Sequence, residues 1–163
     1  MDIFEYAMQM ETDGRSFYTE HAAKATQPEL KRILLELADD ELKHYNLFKA
    51  LRDGQPAEYK EASRTRILAT LKNVFQEISA TNKDFTFGSD ARKIWEQARE
   101  VEKKSEAFYR EQATMVDKPN QRDALVKIAD EEHRHWVTLQ HVIDFIERPA
   151  RFIEDAEWSH LEE

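Results

Sequence analysis

The chain has 163 residues, enough to bury one sizeable core and too few for two ordinary domains, so a single domain over 1–163 is expected. Three Gly and four Pro are too few for a sandwich or barrel of short strands, and abundant Ala, Leu, Glu, Lys, Arg and Gln favour long helices. A net charge of −9 without a basic run argues against nucleic acid or an anionic membrane as partner, and the absence of Cys excludes disulfides, iron–sulfur clusters and thiolate ligands.

The first residues, Met1, Asp2, Ile3, Phe4 and Glu5, carry no basic leader followed by an apolar stretch. No segment approaches the roughly 18 apolar residues of a membrane span, and a soluble, cytoplasmic protein is expected. A first helix is expected over about 2–25. Pro28 suits the first turn of a second helix, which runs to about Arg52 and is stopped by Asp53, Gly54, Gln55 and Pro56. The connection 54–89 is too long for an unstructured loop. Within it Ile67, Leu68, Leu71, Val74, Phe75 and Ile78 share one face at helical spacing and predict a helix, followed by an irregular stretch over 82–89. A third helix is expected over about 90–116, with Ser89 or Asp90 as N-cap. Pro119 then opens a fourth, ending near Glu147 before Pro149. The tail 149–163 is read as a short helix using Phe152, Ile153 and Trp158.

The chain also matches itself. A shift of 91 positions aligns 1–53 with 92–144 without a gap, at about fifteen identities. The pairs include Glu11/Glu102, Phe17/Phe108, Tyr18/Tyr109, Pro28/Pro119, Leu34/Leu125, Glu41/Glu132 and His44/His135. Both prolines falling in register point to a duplicated helical hairpin. The expected architecture is therefore all-α: a ferritin-like four-helix bundle from two hairpins, joined by a long crossover that contains an extra helix.

Each helix has an apolar seam with a polar interruption. In the second helix it reads Leu30, Leu34, Leu37, Glu41, His44, Phe48, Leu51, and in the fourth Leu125, Ile128, Glu132, His135, Leu139, Val142, Ile146. The first reads Phe4, Ala7, Glu11, Gly14, Tyr18, and the third Trp95, Ala98, Glu102, Ser105, Tyr109. Four carboxylates facing one core layer repel one another and lose hydration unless cations compensate them. Two divalent ions balance four Glu, and neutral imidazoles complete the coordination without adding charge. A Glu-x-x-His pair puts both ligands on one helix face, and two such pairs with two single Glu form the pattern of ferritin-like di-iron and di-manganese proteins. The candidate ligands are Glu11, Glu41, His44, Glu102, Glu132 and His135. Oxygen and nitrogen donors suit two iron ions, with manganese and zinc also compatible.

Around this layer two readings stand for each neighbour. Tyr18 and Tyr109 either orient carboxylates of a facing helix or are core aromatics with a polar tip. Asp40 and Glu131, just before the ligand Glu, either accept the second ring N–H of a ligand His or are ordinary exposed carboxylates. Gly14 and Ser105 either leave room beside the ions or allow close helix packing. His21, His133, His141 and His160 lie off the repeat or unpaired and read as surface residues, whereas Glu5/Glu96 and Glu20/Glu111 match in the repeat but flank the metal layer by more than a turn and read either as surface charge or as part of an ion entry path. Met8 and Met10 read as packing, so no haem is expected.

Through Glu11 with Phe17-Tyr18, the run from Leu37 to Tyr45, and their copies around Glu102, Phe108-Tyr109 and Glu132 to His135, the chain resembles the rubrerythrin branch of the ferritin-like superfamily. The resemblance covers both hairpins. It implies a non-haem di-iron centre that reduces hydrogen peroxide or dioxygen, a homodimer, a role against oxidative stress, and all six candidate residues as iron ligands. Three features differ from rubrerythrins proper. The rubredoxin-like domain with its four cysteines is absent, so electrons would come from a separate donor protein. Ser105 stands where those proteins place an additional Glu, and the last motif closes with His135 in place of Glu. In these two respects the ligand set is similar to the ferroxidase centre of bacterioferritin. The competing functions are thus a ferritin-type ferroxidase with iron storage, and a metal-stabilised helical module acting through protein contacts.

Overall fold

A computed structural model describes residues 2–81 and 91–148. Among the described residues five α-helices follow in order: α1 (Ile3–Lys24), α2 (Pro28–Arg52), α3 (Ile67–Thr81), α4 (Ala91–Ala113) and α5 (Pro119–Glu147), with a short 3-10 turn at Glu61–Ser63. The chain forms an all-α, ferritin-like bundle. The expected N-cap at Ser89 or Asp90, the irregular 82–89 stretch, and the tail with Pro149, Phe152, Ile153, Trp158 and His160 lie outside the described residues.

The helix ends follow local chemistry. The Asp2 carboxylate accepts the Phe4 N–H at 2.6 Å and caps α1. Pro28 and Pro119 open α2 and α5, where a missing N–H costs nothing. Helix α2 stops because Gly54 takes φ +69°, which lets its N–H reach Leu51 O and the Gln55 N–H reach Ala50 O, closing the last turn. Helix α4 ends at Ala113, three residues short of the expected boundary, with Met115 and Val116 held in turns on Gln112 O.

Helix α1 packs along α2 and α4 along α5, while α3 lies across α2 and α5. The buried side chains divide into two apolar clusters. One contains Leu30, Leu34 and Leu37 of α2, Ile67, Leu71, Val74, Phe75 and Ile78 of α3, Trp95, and Leu139 and Val142 of α5. The other contains Phe4, Ala7, Phe48, Leu51, Ala113, Leu125 and Ile128. At about 25 cal/mol per Å² of apolar area withdrawn from water, such clusters are what hold a bundle together. Between the seam segments that build them lies the stretch of each helix that carries a buried carboxylate. Helix α3 packs into the first cluster and closes that end of the bundle, while Ala57 and Tyr59 earlier in the crossover pack against the second cluster.

Candidate metal centre

All six candidate ligands are buried: Glu11, Glu41, His44, Glu102, Glu132 and His135 each expose 3% or less of their surface. Glu11, Glu102 and each Glu-x-x-His pair occupy seam positions flanked one turn away by apolar or small residues, so burial of the seam carries the polar groups inward with it. Their ligand atoms fall into two overlapping groups, within which the atoms lie no more than 4.8 Å apart. Glu11, Glu41, His44 and Glu132 form one group, and Glu41, Glu102, Glu132 and His135 the other. Glu41 and Glu132 belong to both. The two imidazoles stack at 5.9 Å between ring centroids.

The ring atoms are held in a definite sense. His44 Nδ1 lies 3.0 Å from Glu132 Oε1 and 3.4 Å from Glu11 Oε2. His135 Nδ1 lies 3.2 Å from both Glu41 Oε1 and Glu102 Oε1. On the far side of each ring, His44 Nε2 meets Glu131 Oε1 at 2.8 Å and His135 Nε2 meets Asp40 Oδ2 at 3.0 Å. Carboxylates at these positions can accept the Nε2 proton of each ring, so that with a cation in the layer Nδ1 would be the nitrogen free to coordinate it. Asp40 and Glu131 are 2% exposed, so of their two readings the structure shows the histidine partner. Each reaches across the repeat, Asp40 of the first copy to His135 and Glu131 of the second to His44.

The tyrosines cross in the same way. Tyr109 Oη donates to Glu11 Oε1 at 2.7 Å, and Tyr18 Oη donates to Glu102 Oε1. Their rings belong to opposite apolar clusters, so each contributes both to packing and to holding a carboxylate. Gly14 serves a different purpose. A Cβ built on it would stand 3.0 Å from Glu41 Oε2, so the space left by the missing side chain is occupied by that carboxylate. Ser105, its repeat counterpart, is buried.

Two further residues went unnoticed in the sequence. Tyr59 donates its hydroxyl to Glu131, and Thr65 donates its own to Asp40. Both come from the crossover just before α3, a stretch without periodicity or repeat partner. The one available signal was a tyrosine and a threonine near an otherwise charged connection. The remaining sequence candidates lie apart from the layer. Glu5, Glu20 and Glu111 are exposed, His133 pairs with Glu106 at 3.0 Å, and His21 packs on Phe17 at 4.4 Å between ring centroids.

The electrostatics follow from burial and mutual repulsion. Burial pushes the Glu41 carboxyl well above the usual carboxylate range, and Glu11 and Glu102 push it further. Glu132 rises for the same reason, with Glu102 and Glu41 adding to burial. Glu11 is also raised, by burial and then by Glu132. Burial opposes ionisation of Glu102 too, but His135 and the Tyr18 hydroxyl outweigh it and its value falls. Burial likewise disfavours charge on His44 and His135, yet the surrounding carboxylates, Glu11 and Glu102 foremost, hold both well above the ordinary imidazole range. Without cations the layer is therefore neutralised by protons.

Cations suit the layer better than protons do. Glu11 Oε2, Glu41 Oε1, His44 Nδ1, Glu102 Oε2 and Glu132 Oε1 are buried and make no hydrogen bond, an expensive arrangement unless another partner occupies the space they share. Oxygen and nitrogen donors of this kind fit a pair of divalent first-row metal ions. The two ions would take Glu11 with His44 and Glu102 with His135 separately, and Glu41 and Glu132 in common.

Comparison with known proteins agrees. The rubrerythrin family model matches residues 2–143, which takes in α1 to α4 and most of α5. No curated protein and no solved structure matches the chain.

Proposed function

Since the chain belongs to the rubrerythrin family, a di-iron family, we propose that it is a non-haem di-iron oxidoreductase that reduces hydrogen peroxide or dioxygen with electrons from a separate donor protein. The observation that carries this reading is the convergence of six buried donor side chains into two groups that share Glu41 and Glu132. Bound there, two iron ions would supply reversible one-electron steps at each ion, two electrons in all.

The chain's own groups prepare that chemistry. Glu11 and Glu102 are kept in place by Tyr109 and Tyr18, whose buried hydroxyls stay protonated and donate. Asp40 and Glu131 are held below the ordinary carboxylate range because their bonds to His135 and His44 outweigh burial, so each stays anionic and keeps its histidine ring aligned. The apolar clusters limit water around the layer and keep the charged groups at close range. The reading takes its electrons from a separate donor protein, because these 163 residues hold no cysteine to build an iron–sulfur site.

The test is anaerobic loading with Fe(II) followed by addition of peroxide. Near-ultraviolet absorption of oxidised iron should develop, and continued peroxide consumption should follow when a reductant is supplied. A loaded protein that ignores peroxide and dioxygen rejects the proposal. A second reading, ferroxidase with iron storage, is favoured by His135, which gives each ion its own imidazole. Sedimentation separates the two, because a homodimer cannot enclose a mineral and a hollow cage can.

A further inference from the structure

The two hairpins carry the same ligands but different outer faces. A cleft of about 630 Å³ lies between α1 and α2, lined by Thr12, Arg15, Ser16, Thr19 and Glu20 of α1 and Leu42 and Tyr45 of α2, and it reaches Glu11 and Glu41 at its floor. Thr12, Arg15, Ser16 and Thr19 are exposed, whereas Glu11 and Glu41 are buried. The cleft therefore runs from solvent to one terminal and one shared carboxylate of the metal layer. Thr12 and Thr19 return their hydroxyls to Met8 O and Arg15 O of their own helix, so neither reaches across to α2.

Shifted by 91 positions, the same places on α4 and α5 read differently: Arg15 becomes Glu106, Thr19 becomes Arg110, Leu42 becomes His133 and Tyr45 becomes Trp136. These residues fasten the two helices together. Arg110 donates to Glu106 at 2.8 Å on its own helix and to Asp130 of α5 at 3.0 Å. Glu106 also meets His133 at 3.0 Å, and His133 stacks on Trp136 with 6.0 Å between ring centroids. In the first hairpin Asp39 is the counterpart of Asp130, but Thr19 has neither the length nor the charge to reach it.

We propose that the α1/α2 cleft is the route by which small polar solutes, hydrogen peroxide among them, reach the carboxylate layer, and that the Glu106/Arg110/Asp130/His133 clasp keeps the matching α4/α5 face shut. The inference rests on the di-metal reading of the layer. The cleft's hydroxyls, with the Arg15 guanidinium and the Glu20 carboxylate both exposed along it, suit a small neutral polar solute, and Gly14, lacking a Cβ, leaves the space beside it to the Glu41 carboxylate.

The experiment fills each face in turn with a large side chain, Ser16→Trp in the cleft and Ala107→Trp at the matching position. Thr12→Trp serves as a second cleft variant should the first fail to fold. Each protein is loaded with iron, its metal content measured, and the oxidised form mixed with azide, whose binding is followed by its charge-transfer absorption. Peroxide consumption is measured alongside. Ser16→Trp is expected to keep two ions per chain and to bind azide about tenfold more slowly, while Ala107→Trp stays near the parent rate. An unchanged azide rate in a cleft variant that retains two ions, or equal slowing in Ala107→Trp, overturns the proposal. Parent protein that never holds two ions removes the di-metal reading, and the proposal with it.

Discussion

The Tyr18 hydroxyl of the first hairpin is bonded to the Glu102 carboxylate of the second, and Tyr109 returns the arrangement to Glu11. Each hairpin thus holds a candidate ligand of the other, and the carboxylate layer is shared between them. Tyr18→Phe should weaken the ion bound by Glu102 and His135 by about tenfold, the usual cost of losing a group that orients a ligand. Tyr109→Phe should do the same to the ion bound by Glu11 and His44. Competitive Co(II) titration resolves the two sites, and equal weakening of both by either variant would contradict the crossed arrangement.

Glu41 and Glu132 stand in both ligand groups, whereas Glu11 and Glu102 each stand in one. Glu41→Ala and Glu132→Ala should each lower metal content by both ions, while Glu11→Ala lowers it mainly by one. Helicity by circular dichroism should hold in all three, because the apolar clusters remain. Elemental analysis after desalting is the measurement, and two ions retained in both Glu41→Ala and Glu132→Ala would show that the ligands are wrong.

Metal removal should make stability depend on pH. The folded values of Glu41 and Glu132 are raised, so the folded state binds more protons than the unfolded one and stability falls as pH climbs above the ordinary carboxylate value. The folded values of His44 and His135 are raised as well. Their stabilising share is complete below the ordinary imidazole value and is lost as pH rises through the folded one. All four act in one direction. Thermal melts of metal-free protein should drop steadily between about pH 5 and pH 8, whereas loaded protein should stay nearly level. A metal-free melting temperature that rises over this range would refute the assignment of protons to the layer.

Gly14 should separate stability from metal binding. Alanine there gains up to about 1 kcal/mol of helix propensity. Its Cβ also meets Glu41 Oε2 at 3.0 Å, the far end of a side chain that can yield. Gly14→Ala is expected to melt at or above the parent temperature without metal and to bind metal more weakly. Calorimetry of the two forms tests this, and unaltered affinity would show that Glu41 has room to spare.

Tyr59 and Thr65 brace the two outer carboxylates. Tyr59→Phe should loosen Glu131 and, through it, the ion held by His44. Thr65→Val should loosen Asp40 and the ion held by His135. Each effect should be smaller than that of Tyr18→Phe, because one more group stands between the change and the ion. The same two-site titration reads it, and an effect of either variant on the opposite ion would break the stated chains of contact.

Much of this was legible before any coordinates. A heptad seam interrupted at Glu41/His44 and again at Glu132/His135 fixes which face of each helix carries the donors, and helical periodicity alone puts Glu and His one turn apart. The spacing of Ile67, Leu71, Val74, Phe75 and Ile78 likewise located α3. Tyr59 and Thr65 were invisible for the opposite reason. They sit in non-periodic backbone, where sequence carries no statement of direction, and their partners are 72 and 25 residues away.

The sequence by itself determined the helices and which carboxylates and imidazoles face inward, because each follows from the repeat of an α-helix along its own axis. Only tertiary structure decided that Asp40 serves His135 and Glu131 serves His44, that Glu41 and Glu132 are the shared pair, and that one outer face is clasped while the other is cleft. Those relations run between helices. They are set by how four packed helices are spaced and rotated about one another, a distance that no single helix encodes.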